Sequence, residues 1–200
     1  LPKNFSSRFC TKSKIKAAIY NYESSILPRS WKDCWKNLDY VFPSSDYSKE
    51  VFLNAGYPED RLKVIPHGIF LEEFDNKEKS KDIEGGVFNF LNISIPHYRK
   101  NLDKLITAYY QEFKKSDDVC LTIKTSIDKP NPSKYFEIDF LKQLKDIQRK
   151  FKKESLPRLC ILTNKYETMV PVYNSADCLI SASSAEGFGL PLLEAMASER

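Results

Sequence analysis

Residues 182–198 read Ala-Ser-Ser-Ala-Glu-Gly-Phe-Gly-Leu-Pro-Leu-Leu-Glu-Ala-Met-Ala-Ser, and the β-like run Cys178-Leu179-Ile180-Ser181 leads into them. A strand, a glycine-containing turn and a helix therefore follow one another here. Pro191 suits a first helical position, because the N–H it lacks would be unpaired there anyway. Leu192, Leu193, Ala195, Met196 and Ala197 are good helix formers, and their apolar character predicts a mostly buried helix. The turn gathers free backbone N–H groups and the positive end of a helix dipole at one spot, which suits an anion or a ring of hydroxyls. Gly187 and Gly189 let the backbone approach a ligand closely. Glu186 lies on the turn, and Glu194, eight residues on, falls in about the first turn of the helix. Carboxylates there can take hydroxyls while the amides take phosphate. On spacing alone, an ordinary strand, turn and helix with both glutamates merely near a helix N-terminus accounts for the stretch equally well.

The rest of the chain sets bounds on that reading. Its 200 residues suit one or two domains, and 42% hydrophobic content suffices for a core. No apolar run approaches the roughly eighteen residues of a membrane span. The N-terminal Leu-Pro-Lys-Asn-Phe-Ser-Ser-Arg has neither an initiator Met nor an apolar leader, and the chain stops at Ser198-Glu199-Arg200. Both ends read as cut, so a segment of a longer protein is expected. Five cysteines, at 10, 34, 120, 160 and 178, are odd in number and never spaced as C-x2-C. That pattern argues against a disulfide framework or zinc site and for a reducing, cytoplasmic setting. The net charge of +4 comes mostly from scattered lysines. It could help attract a nucleotide diphosphate or an anionic surface, but it is not the footprint of a nucleic-acid binder.

Upstream, Ile15–Tyr22 reads as a strand and Trp31–Trp35 as a short helix with Ser30 as its cap. Leu38–Phe42 reads as a strand closed by Pro43-Ser44-Ser45. Ser45 or Asp46 caps a helix to about Ala55, stopped by Gly56, and Leu62–Ile65 is a strand ended by Pro66. Residues 71–86 are densely charged and predict an exposed connection between a first domain, 1–70, and a second, 87–200. In the second, strand and helix patterns alternate. Strands are predicted at 87–93, 119–123, 159–162 and 177–181. Helical stripes run through Leu102, Leu105, Ile106, Tyr109 and Phe113, and through Phe140, Leu141, Leu144, Ile147 and Phe151, with another helix at 166–173. The fold class is therefore α/β, a Rossmann-like parallel sheet with flanking helices, truncated at both ends. Ligands of such sheets bind beyond the carboxyl ends of the strands, where the Glu186 turn also falls. The helix expected over 135–153 carries Lys142, Lys145, Arg149, Lys150, Lys152 and Lys153. A solvated face is the preferred reading, and a peripheral membrane contact is the alternative.

Glu186-Gly187-Phe188-Gly189-Leu190-Pro191-Leu192-Leu193-Glu194-Ala195-Met196-Ala197 resembles the E-x7-E motif of retaining GT-B glycosyltransferases, the glycosyl transferases group 1 or family 4. Asp39-Tyr40-Val41-Phe42-Pro43-Ser44 and Val64-Ile65-Pro66-His67-Gly68-Ile69 resemble the end of the acceptor-side domain of that superfamily, although Phe70 replaces its usual Asp. His97-Tyr98-Arg99-Lys100-Asn101-Leu102 resembles its RKN-L segment.

The resemblance implies a hexosyl transfer from a nucleoside-diphosphate sugar, UDP- or GDP-linked, to an acceptor glycan, lipid or small molecule. It implies Lys100 on the donor phosphates, Glu194 on the ribose hydroxyls and Glu186 as the catalytic carboxylate beside the transferred sugar. The N–H groups of Gly187, Phe188, Gly189 and Leu190 would face the sugar or phosphates. Many members carry a second cation where this chain has Ser94; Arg99 either substitutes for it or faces solvent. Asn101 lies in the same segment, and Thr163, Asn164 and Lys165 follow strand 159–162, where a base would rest.

The chain has no Asp-x-Asp, so no metal and no cofactor are expected, and fixed cations would neutralise the leaving group. Retention would proceed by front-face attack, with the two-carboxylate logic of hydrolases as the competing reading of Glu186 and Glu194. The two histidines, His67 and His97, accompany no recognisable nucleophile motif, which argues against a hydrolase triad. His97 is either a phosphate contact or a surface loop residue. The remainder of the chain would be needed for a complete active site. Two other classes stay open: a silent nucleotide-binding module, and a phosphorylase or sugar-nucleotide epimerase of the same fold.

Overall fold

A computed structural model describes residues 14–31, 38–127 and 138–200. The chain divides into two compact units, Leu1–Gly68 with Ala185–Gly189, and Ile69–Ser184 with Leu190–Arg200.

In the first unit, β1 (Ala17–Tyr20) and β2 (Tyr40–Pro43) pair in parallel, from Ala17 opposite Tyr40 to Tyr20 opposite Pro43. Helix α1 (Asp46–Asn54) starts where Ser45 Oγ accepts the Ser48 N–H at 3.2 Å, and Gly56, at φ 88°, follows its end. Val41, Val51, Phe52, Tyr57 and Leu62 form the core with Leu27 and Leu38. The strand expected at 62–65 is reduced to one bridge, Val41 to Leu62, with Lys63 and Ile65 N–H groups donating to the Val41 and Pro43 carbonyls. Pro43 has no N–H with which to return a bond, so the ladder cannot extend. A 3-10 turn covers Arg29–Trp31; the rest of the helix expected to Trp35 lies outside the described residues.

The second unit holds a four-stranded sheet in the order β5-β4-β3-β6, every pairing parallel. Its strands are β3 (Phe88–Ile93), β4 (Val119–Lys124), β5 (Arg158–Leu162) and β6 (Cys178–Leu179). The connections carry α2 (Leu102–Glu112), α3 (Phe140–Gln148) and α4 (Val170–Asn174), and α5 (Leu190–Ala197) follows β6. Period-two alternation divides the strand residues between two cores. Leu91 and Leu162 pack with Val172, Tyr173 and Ala195 on the α4 and α5 side. Leu121 and Ile123, joined by Phe90, pack with Leu105, Ile106, Phe140 and Ile147 on the α2 and α3 side. Helices on both faces are what buried parallel strands require.

The first-unit strands read at 15–22 and 38–42 are Ala17–Tyr20 and Tyr40–Pro43, and in the second unit three boundaries differ by more than one residue from expectation. The helix read at 166–173 begins only at Val170, because Pro171 fits a first turn but would clash with the carbonyl of residue 167 in a longer helix. Strand 177–181 narrows to Cys178–Leu179, with Asp177 and Ile180 N–H groups donating to the Asn89 and Leu91 carbonyls on either side. The helix read over 135–153 runs from its Asp139 cap to Gln148, then tightens into i to i+3 turns at Lys150 and Phe151; residues 135–137 lie outside the described set. Lys142, Lys145, Arg149, Lys150 and Lys152 are all exposed.

The stretch 71–86, expected as an exposed connection, is exposed along most of its length yet is fastened to the second unit. Phe74 and Ile83 enter that unit's core. Asn174 Nδ2 donates to the carbonyls of Asn76 and Glu78, and the Ser80 N–H donates to Ser175 Oγ and to the Pro171 carbonyl. Two apolar residues among the charges are enough to anchor it.

Candidate functional site

The carboxyl ends of β3, β4 and β5 lie side by side because the three strands are parallel and in register, with Ile93 opposite Lys124 and Lys124 opposite Leu162. The residues that follow them, Ser94, Thr125, Ser126 and Thr163, line one cleft of about 730 Å³. Four cations share it: Arg99, Lys100, Lys124 and Lys165. No carboxylate is among its described lining residues, so the cleft is suited to an anion. Pro191, from the first turn of α5, closes one side.

Lys100 is 8% exposed, an unusual place for a lysine. The local sequence sets its position. Residues Tyr98–Lys100 form a 3-10 turn capped by His97, whose Nδ1 accepts the Arg99 N–H at 3.3 Å. Asn101 then adopts a left-handed conformation, φ 48°, and its Nδ2 donates to the Ala182 carbonyl at 2.9 Å. The Ser184 N–H and hydroxyl both donate to the Arg99 carbonyl, at 2.8 and 3.2 Å. These bonds join the loop after β3 to the loop after β6 and fix the backbone that carries Arg99 and Lys100. Asn101 and His97 thus act on the loop itself.

Among the weaker candidates, Ser94, Thr163 and Lys165 line the cleft, whereas Asn164 turns to Asp82, donating to Oδ2 at 3.1 Å. Tyr166 donates to the same oxygen at 2.6 Å. These bonds, Tyr166's first, hold the Asp82 carboxyl below its usual range. Burial, then Asp82 itself, pushes the Tyr166 phenol up to about 12.

Glu194 lies in the second turn of α5, half-buried. The fully buried Tyr173 donates its hydroxyl to Glu194 Oε2 at 2.5 Å, which fixes the carboxylate and occupies one of its oxygens. Burial, then Glu194, drives the Tyr173 pKa far upward, so it remains a donor.

Ala185–Gly189 belong to the first unit. A Cβ on Gly187 would sit 3.1 Å from Asn21 Cβ, and Gly189 has φ 87°, so both positions favour glycine for physical reasons. Ser44 Oγ donates to the Gly187 carbonyl at 3.2 Å, and the Phe188 ring meets His67 edge-on at 5.1 Å. His67 Nε2 and Asn21 Oδ1 share a 2.8 Å hydrogen bond. Glu186 is half-buried in this turn, and Leu190, exposed, opens α5 in the second unit.

Sequence reasoning missed Lys124, Thr125 and Ser126. The signal was available: Thr125 and Ser126 follow β4, whose last residue is Lys124, as Ser94 follows β3 and Thr163 follows β5, and the rule about strand carboxyl ends applies to all three strands.

A sequence profile described as Glycosyl transferases group 1 matches residues 89–200, more than half of the chain. No curated protein sequence gives a significant match. Among solved structures, Anabaena HepE with UDP and glucose superposes with a TM-score of 0.62 at 19% identity, covering 82% of this chain and 44% of that one. TarM gives 0.63 at 18% identity over 93% of this chain and 35% of its own. The pneumococcal O-GlcNAc transferase GtfA with UDP and GlcNAc gives 0.59 at 18%, over 92% and 36%. The chain thus spans less than half the length of each of these solved structures. With its parallel sheets, flanking helices and group 1 profile, the chain belongs to the glycosyl transferases group 1 and has the GT-B fold.

Proposed function

We propose that the intact protein transfers a hexose from a nucleoside-diphosphate sugar, UDP- or GDP-linked, to an acceptor, with retention and without a metal ion. The observation that carries this reading is the cleft at the strand ends, lined by four cations and no described carboxylate. The UDP held by HepE and GtfA is consistent with it. As the bond from the anomeric carbon to the phosphate oxygen breaks, negative charge develops on the diphosphate. Lys100, with Arg99 beside it, stabilises that charge through cations that need no reorganisation. Glu194 takes the ribose hydroxyls with the oxygen that Tyr173 leaves open. Glu186 lies by the transferred sugar and stabilises positive character at the anomeric carbon, and the N–H groups of Gly187–Leu190 face the sugar or phosphates. The acceptor oxygen attacks from the face the diphosphate leaves, and its proton passes to the departing phosphate oxygen.

The N-terminal loops of the acceptor-side domain would come from the remainder of the protein, so this stretch by itself is expected to bind donor with little or no turnover. The test is nucleotide release by the intact protein from a panel of UDP- and GDP-hexoses, with and without a chelator. Release that survives chelation and is lost in Lys100→Ala and Glu194→Ala supports the reading. Undiminished release in both variants, or dependence on a divalent ion, refutes it.

A further inference from the structure

We propose that Lys124 and Thr125, at the carboxyl end of β4, form the second half of the diphosphate site. Lys124 is its second cation, and Thr125 Oγ1 donates a hydrogen bond to a phosphate oxygen. The proposal rests on the donor-binding reading above and names two groups which that reading does not use.

Two independent observations meet at this strand end. Thr125 is 5% exposed, it lines the cleft, and its buried Oγ1 has no hydrogen-bond partner. Its backbone N–H already donates to the Leu162 carbonyl at 3.0 Å, so the residue is locked in the ladder. A buried hydroxyl without a partner is destabilising, and few persist in folded proteins without a reason. A χ1 rotation that turns this hydroxyl to the cleft wall would let an incoming phosphate oxygen satisfy it.

Lys124 supplies the second observation. It is half-buried and lines the same cleft, yet among the described residues no carboxylate and no hydrogen-bond acceptor pairs with its ammonium. Its organised contact is the ring of Tyr166, with Nζ 5.8 Å from the centroid. Tyr166 is itself tied to Asp82 through its hydroxyl. A ring face holds a cation in place without neutralising it, so the charge stays available to an anion. Burying a cation part-way without a counter-charge is unfavourable, and the natural relief is an anionic ligand.

The register sets the geometry of the pair. Lys124 is the parallel partner of Ile93, and the Ser94 N–H donates to the Lys124 carbonyl at 3.1 Å. Ser94 brings no charge to its strand end. Arg99 and Lys100 come from the loop after β3, and Lys124 and Thr125 from the neighbouring strand. Two phosphoryl groups in one ligand can therefore be held from two separate elements.

The experiment is calorimetric titration of the intact protein with UDP, GDP, UMP, GMP and inorganic pyrophosphate, alongside Lys124→Met and Thr125→Val. Lys124→Met is expected to weaken the preferred diphosphate and pyrophosphate by about tenfold or more. It should narrow the preference for diphosphate over monophosphate and flatten the salt dependence of binding. Thr125→Val keeps the shape and removes the unpartnered hydroxyl. Its melting temperature without ligand should stay level or rise, while diphosphate affinity falls several-fold. A threonine that serves only the fold would give the reverse, a lower melting temperature with unchanged binding, and that result overturns its part in the site. If both variants bind diphosphates like the parent while Lys100→Met does not, this proposal fails and the donor-binding reading stands. If the parent protein binds none of the diphosphates, both fail.

Discussion

Replacing Tyr173 with phenylalanine removes a single hydroxyl from the core of the second unit and isolates the bond that fixes Glu194. Tyr173 is fully buried, and Glu194 Oε2 accepts its hydroxyl. The ring stays, so no cavity forms and the transfer of apolar surface is unchanged. What is lost is one hydrogen bond to a charged acceptor, about 1.5–3 kcal/mol. Glu194 is only half-buried, and water can take over part of the loss, so the lower end, about 1.5 kcal/mol, is expected. With a urea m-value of about 1–3 kcal/mol/M, the unfolding midpoint should fall by roughly 0.5–1.5 M, read by circular dichroism. The same variant releases the carboxylate from its set orientation. The preference of the intact protein for a ribose over a 2′-deoxyribose nucleoside diphosphate should therefore shrink. An unchanged midpoint together with an unchanged ribose preference would refute the claim that Tyr173 orients Glu194.

Two further outcomes follow from the turn and from the rim of the cleft. Gly189→Ala places a Cβ at φ 87° and should cost about 1 kcal/mol in thermal unfolding, with a fall in transfer rate; a neutral result would mean the turn relaxes without strain. The raised phenol of Tyr166 makes stability fall with alkali. Its contribution is fully present below the usual phenol value of about 10 and is lost as pH rises towards about 12. Urea unfolding across that window should show a steeper loss for the parent than for Tyr166→Phe, and parallel curves would contradict it.

Much of the fold was legible because period and punctuation agree. The strands at 87–93, 119–123 and 159–162 alternate with amphipathic stripes that reach a core through Leu102, Leu105, Ile106 and Tyr109, then Phe140 and Ile147. Leu141, by contrast, is exposed, and the helix expected to be mostly buried at 190–197 leaves Leu192 and Met196 exposed. Boundaries failed where a single residue overrides a pattern. Pro171 shortened α4 from its N-terminal side, and Pro43 cut the pairing of 62–65. The charged stretch 71–86 hid its two anchors, Phe74 and Ile83, because three apolar residues in sixteen, with Leu71 exposed, carry no period. In the candidate site, Ser94, Arg99, Lys100, Thr163 and Lys165 do line one cleft. Lys124 and Thr125 lie directly after the strand read at 119–123 and escaped because neither belongs to a recognisable motif. Asn101 and Asn164 look like ligand contacts in sequence, but their amides serve Ala182 and Asp82, a use that only three-dimensional packing reveals. Tyr173 gave no sequence signal for its bond to Glu194, which lies twenty-one residues away on another helix.

The most direct measurement is a crystal structure of the intact protein with its preferred UDP- or GDP-hexose bound. The account predicts the diphosphate within hydrogen-bonding distance of Lys100 Nζ in the cleft beyond β3, β4 and β5, with the ribose hydroxyls on Glu194. A donor bound elsewhere, or a diphosphate held through a divalent ion away from Lys100, would contradict it.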